Sequence, residues 1–350
     1  MRRRVFTASA LAALSAPALP TPVLADDWPS RQIKVVIPYP PGGPTDISTR
    51  IVMEKVGQVL GQPILFDNKG GASGMIGAEY AKTQPADGYT FLATTVAMLT
   101  ITRHLQPIPF DPEKDFLTVA RMSTSWAALA IHPSVPANDM AEFIAYVKAN
   151  PGKVNYGSAG LATITHLYGE ILNLEAGIKL VHVPYKGSAQ ATQDLLGGQI
   201  QAQFDQTMLP HVLAGRLKGL AIISDSHWPH KPEIATLREA GYGKEGGESW
   251  FGILAPAGTP QPIVDKMARA IEEALKSSGV LDKLDKGRQG DLSRPRRHAR
   301  PSHQGKRDVR RHHPARQRQD TMSARLEHRS RGLHEGEIIE KIQPTHTRGR

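Results

Sequence analysis

The sequence predicts an α/β protein whose sheet is rich in parallel strands. Between residues 26 and about 286, short apolar segments alternate with longer segments of helical periodicity. This alternation is typical of successive βαβ units. Loops rich in glycine and serine follow several of the apolar segments. Because ligands of open α/β sheets bind at the carboxyl ends of strands, these loops are the predicted site.

The individual elements follow from the same alternation. Strands are predicted at 33–39, 63–67, 89–95, 126–132, 154–158, 180–184, 200–205, 217–223 and 250–255. Helices are predicted at 45–60, 74–83, 138–149, 164–175, 188–197, 208–214 and 261–277.

The connection between the first strand and the first helix is the most informative loop. It reads Ile37-Pro38-Tyr39-Pro40-Pro41-Gly42-Gly43-Pro44-Thr45-Asp46. Thr45 or Asp46 is predicted to cap the helix that ends near Leu60. Such a turn directs backbone N–H groups and the positive end of a helix dipole toward one point. The loop therefore predicts a site for a small anion.

Two further loops carry candidate binding groups, each with an ordinary structural interpretation. The loop Asp67–Gly74 can bring backbone amides to a ligand, or it can be a flexible connection in which glycine supplies positive φ. In Tyr156–His166, Ser158 and Thr163 suit a carboxylate, and Thr163 also suits a helix cap. Both roles of Thr163 are compatible.

The last two candidates lie farther along the chain. Tyr185 can form the wall of a pocket, whereas the neighbouring Lys186 is typical of a solvated loop lysine. Asp205 follows a predicted strand, where it can orient a ligand amine or hydroxyl. Alternatively, Asp205 caps a helix that begins near Met208.

The net charge of +10 comes from the C-terminal segment. Of 43 Lys/Arg and 33 Asp/Glu, residues 287–350 hold 17 and 7, so residues 1–286 hold 26 of each. Because Arg2, Arg3 and Arg4 precede the core, residues 26–286 carry a net charge of −3. The core is therefore not basic, and nucleic-acid binding is not predicted.

The segment 287–350 also differs from the core in composition. It contains no Phe, Tyr or Trp and is rich in Arg, His, Gln and Pro. Such a segment cannot bury enough apolar surface to fold, so it is predicted to be a disordered basic tail. An abrupt change of this kind also fits a shifted reading frame in GC-rich DNA, which is the interpretation we favour.

The N-terminus is predicted to be an export signal over residues 1–25. A basic start is followed by an apolar run and by Val23-Leu24-Ala25, which resembles a cleavage site. The signal suits Sec export and partly fits a twin-arginine signal. The mature chain is expected to begin near Asp26 outside the cytoplasm. The absence of cysteine excludes disulfides and thiolate chemistry.

No enzyme signature is found in the sequence. It lacks G-x-x-x-x-G-K-[ST], H-E-x-x-H and G-x-S-x-G, and no spacing pairs a nucleophile with a base. His166 and Glu170 lie four residues apart, but two ligands do not make a metal site. We therefore predict a protein without catalytic residues, metal or cofactor.

Taken together and in order, several segments resemble the periplasmic solute receptors of tripartite tricarboxylate transporters, the Bug receptor family. The matching segments are 37–50, 71–77, 87–90, 156–167, 183–199 and 250–260. The resemblance runs from about residue 31 to about 286. It implies a type II periplasmic-binding-protein fold, in which two α/β lobes hold the ligand in a central cleft.

The resemblance also implies lobe boundaries and a partner. Lobe 1 is expected at 26–126 plus 225–286, and lobe 2 at 127–224. A small carboxylate is expected to bind through loop amides, hydroxyls and bridging waters, in a monomer that delivers it to membrane permease subunits. Sensing for a two-component system, or an enzyme on the same fold, are the alternatives. The expected ligand-binding residues are Tyr39, Gly42, Gly43, Thr45, Asp46, Ser73, Ser158, Thr163, Tyr185 and Asp205.

The chain departs from the pattern of the resembling family at several positions. Gly70 and Gln190 stand where the family usually has proline, and Ala162 stands where it usually has glycine. After about Lys286, the short strand and final helix that usually cover the first lobe are not recognisable in the sequence.

Overall fold

The structure, a computed structural model, describes residues 28–243, 249–285 and 289–290. The predicted signal at 1–25 and nearly all of the predicted tail lie outside the described residues. The strands are β1 Ile33–Ile37, β2 Ile64–Asn68, β3 Thr90–Thr95, β4 Phe116–Ser125, β5 Ala127–Ile131, β6 Val154–Ser158, β7 Leu180–Pro184, β8 Ala202–Asp205, β9 Lys218–Ile223, β10 Ser249–Pro256 and β11 Gln289–Gly290. The α-helices are α1 Pro44–Leu60, α2 Met75–Lys82, α3 Thr102–Leu105, α4 Met140–Ala149, α5 Ile164–Ala176, α6 Ser188–Leu196, α7 Leu209–Leu213, α8 Gln261–Leu275 and α9 Ser278–Asp285.

The strands form two mixed sheets, each covered by helices. The first sheet has the order β11-β4-β10-β3-β1-β2, and the second has the order β7-β6-β8-β5-β9. Strand β1 is parallel to β2 and β3, and β6 is parallel to β7 and β8. We call the first sheet with its helices lobe 1 and the second sheet with its helices lobe 2.

The prediction of a parallel-rich sheet is only partly correct. Strand β10 returns from late in the chain and lies antiparallel between β3 and β4. Strand β5 enters lobe 2 antiparallel to β8 and β9. Each lobe thus receives one strand whose direction is set by the chain crossing from the other lobe.

The chain crosses between the lobes at two points. Trp126 alone separates β4 of lobe 1 from β5 of lobe 2. The second crossing lies between Tyr242, which packs against the lobe 2 core, and β10. The Trp126 Nε1 donates to the Ser226 Oγ at 3.3 Å, so a hydrogen bond joins the first crossing to the chain that follows β9. The predicted lobe boundaries at 126/127 and 224/225 stay a prediction.

Apolar side chains fill both faces of each sheet. In lobe 1, α1 and α8 pack on one face through residues such as Val52, Met53 and Met267, and α2 packs on the other. In lobe 2, α4 and α5 cover one face and α6 and α7 cover the other. The alternation of strands and helices therefore yields sheets buried on both sides, as parallel pairs require.

The structure corrects several predicted elements. Helix α1 begins at Pro44 with Gly43 as its N-cap, so neither Thr45 nor Asp46 is the cap. Proline suits this first position because its missing N–H has no acceptor within the helix. Strand β4 was not predicted because its second half consists largely of serine and threonine, which we did not interpret as strand.

The end of lobe 1 also differs from expectation. Helix α9 was not predicted, yet its Val280 and Leu284 are buried in the lobe 1 core. The backbone of Gln289–Gly290 pairs antiparallel with β4, so a two-residue strand exists where the sequence pattern showed none. Helix α9 and strand β11 therefore cover part of the lobe 1 surface for which the sequence analysis recognised no covering element.

Candidate functional site

A cavity of about 150 Å³ lies between the two lobes. Its wall combines small and apolar residues with hydroxyls and two glutamines, and no Lys, Arg or His is among its described lining residues. The lining residues are Tyr39, Pro40, Pro41, Gly43, Pro44, Thr45, Thr95, Ala97, Ser125, Ala127, Ala159, Thr163, Ile164, Thr165, Tyr168, Gly187, Ser188, Ala189, Gln190, Asp205, Gln206, Ser249 and Phe251. A bound anion there would have to be stabilised by dipoles and hydrogen bonds instead of cations.

Three helices begin at the cavity wall. The first residues of α1, α5 and α6 line it, and none of the three helices has a side-chain hydrogen bond at its N-cap. The first N–H groups of a helix have no acceptor within the helix, and the helix dipole places partial positive charge there. The arrangement therefore concentrates backbone donors from both lobes on one space.

The start of α1 is held by a buried carboxylate. The Asp46 Oδ1 accepts from the Arg50 Nε at 2.8 Å and from the Asn68 Nδ2 at 2.9 Å. The Asp46 Oδ2 accepts from the Gly42 backbone N–H at 3.0 Å. The Asn68 Nδ2 also donates to the Tyr39 carbonyl at 3.0 Å. Asp46 therefore fixes the proline–glycine loop from behind and does not line the cavity.

Tyr39 connects this loop to its neighbours. Its hydroxyl donates to the Ser73 carbonyl at 3.2 Å, and its ring lines the cavity. Burial raises the pKa of the Tyr39 phenol, while a hydrogen bond with Thr95 lowers it. The phenol therefore stays neutral and serves as a fixed wall. Ser73 lies outside the cavity, and its Oγ donates to the Leu161 carbonyl of lobe 2 at 2.7 Å.

The start of α5 is built from hydroxyls. The Thr163 Oγ1 donates to the Gly160 carbonyl at 2.7 Å and lies 3.0 Å from the Thr165 Oγ1. The Thr165 Oγ1 accepts from the Ala159 backbone N–H at 2.9 Å. Thr163 occupies the N-cap position, as predicted, but its hydroxyl makes no capping bond to α5. No acidic residue lies in the first turn of this helix.

Ser158 lies behind this loop in a buried polar cluster. Its Oγ lies 2.6 Å from the His182 Nε2, and the His182 ring stacks on the His166 ring at 4.0 Å. Burial lowers the pKa of both imidazoles, that of His182 to about 3 with the neighbouring His166 as a second cause. Both histidines are therefore neutral at physiological pH.

The Ser158–His182 contact corrects the expectation that no nucleophile meets a base. The contact is nevertheless a poor catalytic pair. Ser158 is fully buried, it does not line the cavity, and its Oγ also accepts from the Gly160 backbone N–H at 3.1 Å. Since a nucleophile must reach its substrate, the geometry fits a hydroxyl that shapes the loop beneath Thr163.

The start of α6 is joined to a second buried carboxylate. The Asp205 Oδ2 accepts from the Ser188 Oγ at 2.5 Å. The Asp205 Oδ1 accepts from the Thr207 backbone N–H at 2.9 Å and from its Oγ1 at 3.1 Å. Burial raises the pKa of Asp205, and these hydrogen bonds oppose that shift. Asp205 precedes α7 but is not its N-cap, which is Met208.

The structure brings half of the predicted residues to the cavity. Those in its lining are Tyr39, Gly43, Thr45, Thr163 and Asp205, and those outside it are Gly42, Asp46, Ser73, Ser158 and Tyr185. The Tyr185 hydroxyl donates to the Asp194 carboxylate at 2.7 Å. Burial, and secondly this hydrogen bond, raise the pKa of Tyr185 to about 12. Tyr185 therefore stabilises lobe 2 behind the cavity.

Sequence reasoning missed the lining residues at the lobe crossings and strand ends. These are chiefly Thr95, Ser125, Gln206, Ser249 and Phe251. Ser125 and Ser249 face one another across the register of β4 and β10, next to both crossings. A hydroxyl at the end of an apolar strand segment is the signal that could have found Thr95. Among the described residues, no cluster of His, Asp or Glu is arranged to hold a metal ion.

Comparison with known proteins places this fold and cavity in a family. The family model described as tripartite tricarboxylate transporter family receptor matches residues 48–292, well over half of the chain. The chain belongs to this receptor family. The predicted resemblance and the predicted solute-receptor class are therefore confirmed.

Individual relatives agree with this assignment. The chain is 36% identical over 265 residues to protein BugT of Bordetella pertussis, covering 75% of this chain and 81% of BugT. An R. palustris structure with adipate is 32% identical, with a TM-score of 0.73, and the match covers 75% of this chain and 90% of that one. The periplasmic binding protein BugD is 30% identical, with a TM-score of 0.72 and coverage of 75% and 89%. These matches confirm the two-lobed periplasmic-binding-protein fold and indicate a periplasmic receptor.

Proposed function

We propose that this receptor closes on a small carboxylate and delivers it to the permease subunits of a tripartite transporter. The observation that carries the proposal is the convergence of three helix N-termini from both lobes on one cavity whose described lining lacks a cationic side chain. Helix N-termini stabilise anions without a counter-charge. The adipate-bound relative supports a carboxylate as the anion.

The proposal assigns the binding to loop amides and hydroxyls. Gly43, Thr45 and Thr163 contribute from α1 and α5, and Tyr39 forms part of the wall. Asp205 also lines the cavity, where it holds Ser188 at the start of α6. The five predicted residues outside the lining support the loops through their hydrogen bonds. The receptor works as a monomer of two lobes without enzymatic activity. It reaches the periplasm through the N-terminal signal at 1–25.

A single backbone N–H offers the sharpest test. Gly43 has φ −81° and ψ 169°, which proline can adopt, and a Cβ there would lie 3.8 Å from the nearest other atom. Gly43→Pro removes the N–H at a φ that proline tolerates, and thermal unfolding checks that Gly42, whose φ is 82°, accepts a following proline. If amides hold the anion, Gly43→Pro should lower carboxylate affinity about tenfold or more, since a hydrogen bond to a charged group contributes about 1.5–3 kcal/mol.

Two matched variants complete the test. Gly43→Ala keeps the N–H and should bind within about twofold of the wild type. Lys186→Ala removes an exposed loop cation and should also change affinity little. The ligand is first chosen by a thermal-shift screen of carboxylates, and affinities are then measured by calorimetry. Equal losses in Gly43→Pro and Lys186→Ala would contradict the amide mechanism.

A further inference from the structure

Two loops meet across the cleft, and both contain residues in an uncommon backbone conformation. The loop 71–74 of lobe 1 and the loop 160–163 of lobe 2 are joined by the hydrogen bond from Ser73 to Leu161. Among the described residues, the non-glycine residues with positive φ are Ala72 at 45°, Ser73 at 56° and Ala162 at 58°. All three belong to these two loops. The left-handed region strains an L-residue, and such strain is often found at ligand clamps.

The loop 71–74 is held in its conformation by contacts inside lobe 1. The Gly74 backbone N–H donates to the Gly71 carbonyl at 2.9 Å, and the Tyr39 hydroxyl donates to the Ser73 carbonyl at 3.2 Å. These partners stay in place whether or not lobe 2 is near. The strain of Ala72 and Ser73 is therefore the same in open and closed lobes.

Ala162 is held differently, because lobe 1 binds the peptide groups on both sides of it. The Leu161 carbonyl accepts from the Ser73 Oγ at 2.7 Å, and the Ala162 carbonyl accepts from the Thr102 Oγ1 at 3.3 Å. The angles φ and ψ of Ala162 are the rotations of these two planar groups. Two hydroxyls of lobe 1 thus fix the left-handed conformation of a residue in lobe 2.

Lobe 2 alone holds the two peptide groups unequally. The first is also bonded within lobe 2, because the Ala162 N–H donates to the His166 Nδ1 at 3.2 Å. The second is bonded through the Thr163 N–H to the Gly160 carbonyl at 3.4 Å, beyond the usual range for such a bond. Because Thr163 lines the cavity, a rotation of the second group that relieves Ala162 also turns a donor of the ligand site.

We propose that Ala162 is relaxed when the lobes are open and strained when they close, so that this residue lowers ligand affinity and speeds ligand release. The inference rests on the proposed carboxylate receptor and adds a residue that sets its affinity. Closure and ligand binding restore the left-handed conformation together. Its free-energy cost is therefore subtracted from binding, whereas the constant strain of loop 71–74 is not.

Ala162→Gly tests the proposal, because glycine adopts the left-handed region without steric strain. Ala162 is 1% exposed, so the variant also loses a buried methyl group. Relief of the strain is the larger effect, and binding should become at least about threefold tighter. Calorimetry at pH 7 on the chain 26–350 measures this with adipate, malate, hexanoate and benzoate as probes. Stopped-flow mixing should show the gain as slower dissociation.

Ala72→Gly is the matched control. It makes the same substitution at a similar φ, but at an exposed position whose strain does not depend on lobe 2. Thermal unfolding should therefore give a higher midpoint for Ala72→Gly than for the wild type. Its affinity for the same acids should stay within about twofold of the wild type, because constant strain cancels between the open and closed lobes.

The radius of gyration of the ligand-free protein gives a readout that needs no ligand. Closure is easier without the strain, so Ala162→Gly should have a smaller radius than the wild type, and Ala72→Gly should not. Unchanged affinity and radius in Ala162→Gly, or changes in the opposite direction, would overturn the inference and leave the proposed receptor intact. If none of the four acids binds the wild type, the proposed function fails, and the radius still decides the inference.

Discussion

The two walls of the cleft are stabilised by different chemistry. Behind the lobe 1 wall, Asp46 forms an ion pair with Arg50 and hydrogen bonds with Asn68 and the Gly42 N–H. Behind the lobe 2 wall, hydroxyls meet imidazoles and carboxylates, as in the Ser158–His182 and Tyr185–Asp194 contacts, and the carboxylate of Asp205 has only uncharged donors. The Asp46 carboxylate of lobe 1 therefore has a cationic partner, and the Asp205 carboxylate of lobe 2 has none among its donors.

The two aspartates therefore differ in what stabilises their carboxylates. A carboxylate that is paired with a guanidinium fixes a loop and presents little net charge to a ligand. A carboxylate that is buried among uncharged donors has a raised pKa and no cation beside it. The same side chain type therefore fixes a loop through an ion pair in lobe 1 and through uncharged donors in lobe 2.

The largest expected effect comes from removing the compensated carboxylate. Asp46→Ala leaves the Arg50 guanidinium, the Asn68 amide and the Gly42 N–H without their shared acceptor. We expect the free energy of unfolding to fall by about 2–3 kcal/mol, less than for a fully buried pair because the Arg50 side chain is 37% exposed. This loss is measured by unfolding the protein in urea and following tryptophan fluorescence and far-UV circular dichroism.

A second aspartate provides the matched control. Asp67 also pairs with a cation, Lys69, but at 3.5 Å and with both side chains partly exposed. Asp67→Ala should therefore cost less than about 1 kcal/mol. If both variants lose the same stability, Asp46 has no special structural role and the contrast between the walls disappears.

Lowering the pH should reduce the free energy of unfolding through the buried His182 of lobe 2. Burial lowers the pKa of His182 to about 3 in the folded protein, whereas a histidine in an unfolded chain titrates near 6.5. Between these values the unfolded state binds a proton that the native state does not. Stability is therefore lost as pH falls through this range, by at most about 1.4 kcal/mol per pH unit from this one group.

The pH effect is best measured between pH 7 and 5.5, above the ordinary range of Asp and Glu, although burial raises the pKa of Asp205 toward this window. His182→Gln removes the group and should flatten the dependence. Other groups also contribute to the slope, because burial lowers the pKa of His166 and His211 and raises that of Asp205, and hydrogen bonding to Glu239 raises that of His227. The comparison is therefore between the two slopes. Identical slopes in wild type and variant would remove His182 as a cause.

Sequence reasoning located the loops well because they are local features. The proline–glycine turn, the helix that follows it and the hydroxyls at the start of α5 are each set by neighbouring residues. The i,i+4 spacing of Asp46 and Arg50 is also legible in the sequence, although the pattern led us to place Asp46 among the ligand-binding residues. Its bond to Asn68 could not be predicted, because it depends on how β2 aligns beside β1.

What the sequence did not show depends on contacts between distant segments. The position of β10 between β3 and β4 brings Ser249 and Phe251 to the cavity, and no local pattern encodes that neighbour. Likewise, the pairing of Ser158 with His182 follows from the parallel register of β6 and β7. Local propensity predicts elements, whereas sheet order decides which of their side chains meet.

The smallest expected effect lies at the contact between the walls. The Ser73 Oγ donates to the Leu161 carbonyl across the cleft at 2.7 Å, at an exposed position. Ser73→Ala should destabilise the closed conformation by about 0.5–1 kcal/mol, which corresponds to a two- to fivefold loss of carboxylate affinity. Thr83→Ala is the control, because its Oγ1 donates to the Tyr80 carbonyl within lobe 1 at 2.8 Å and should leave affinity unchanged.

Solution scattering distinguishes loss of closure from loss of a ligand contact. If the Ser73–Leu161 bond favours closure, ligand-free Ser73→Ala should have a larger radius of gyration than ligand-free wild type, and both should converge at saturating ligand. A variant that loses affinity but keeps the wild-type radius without ligand would show that Ser73 acts on the ligand directly. In that case the Ser73–Leu161 hydrogen bond contributes nothing to closure, which leaves the Thr102 Oγ1 to Ala162 carbonyl bond, at 3.3 Å, as another contact between the lobes.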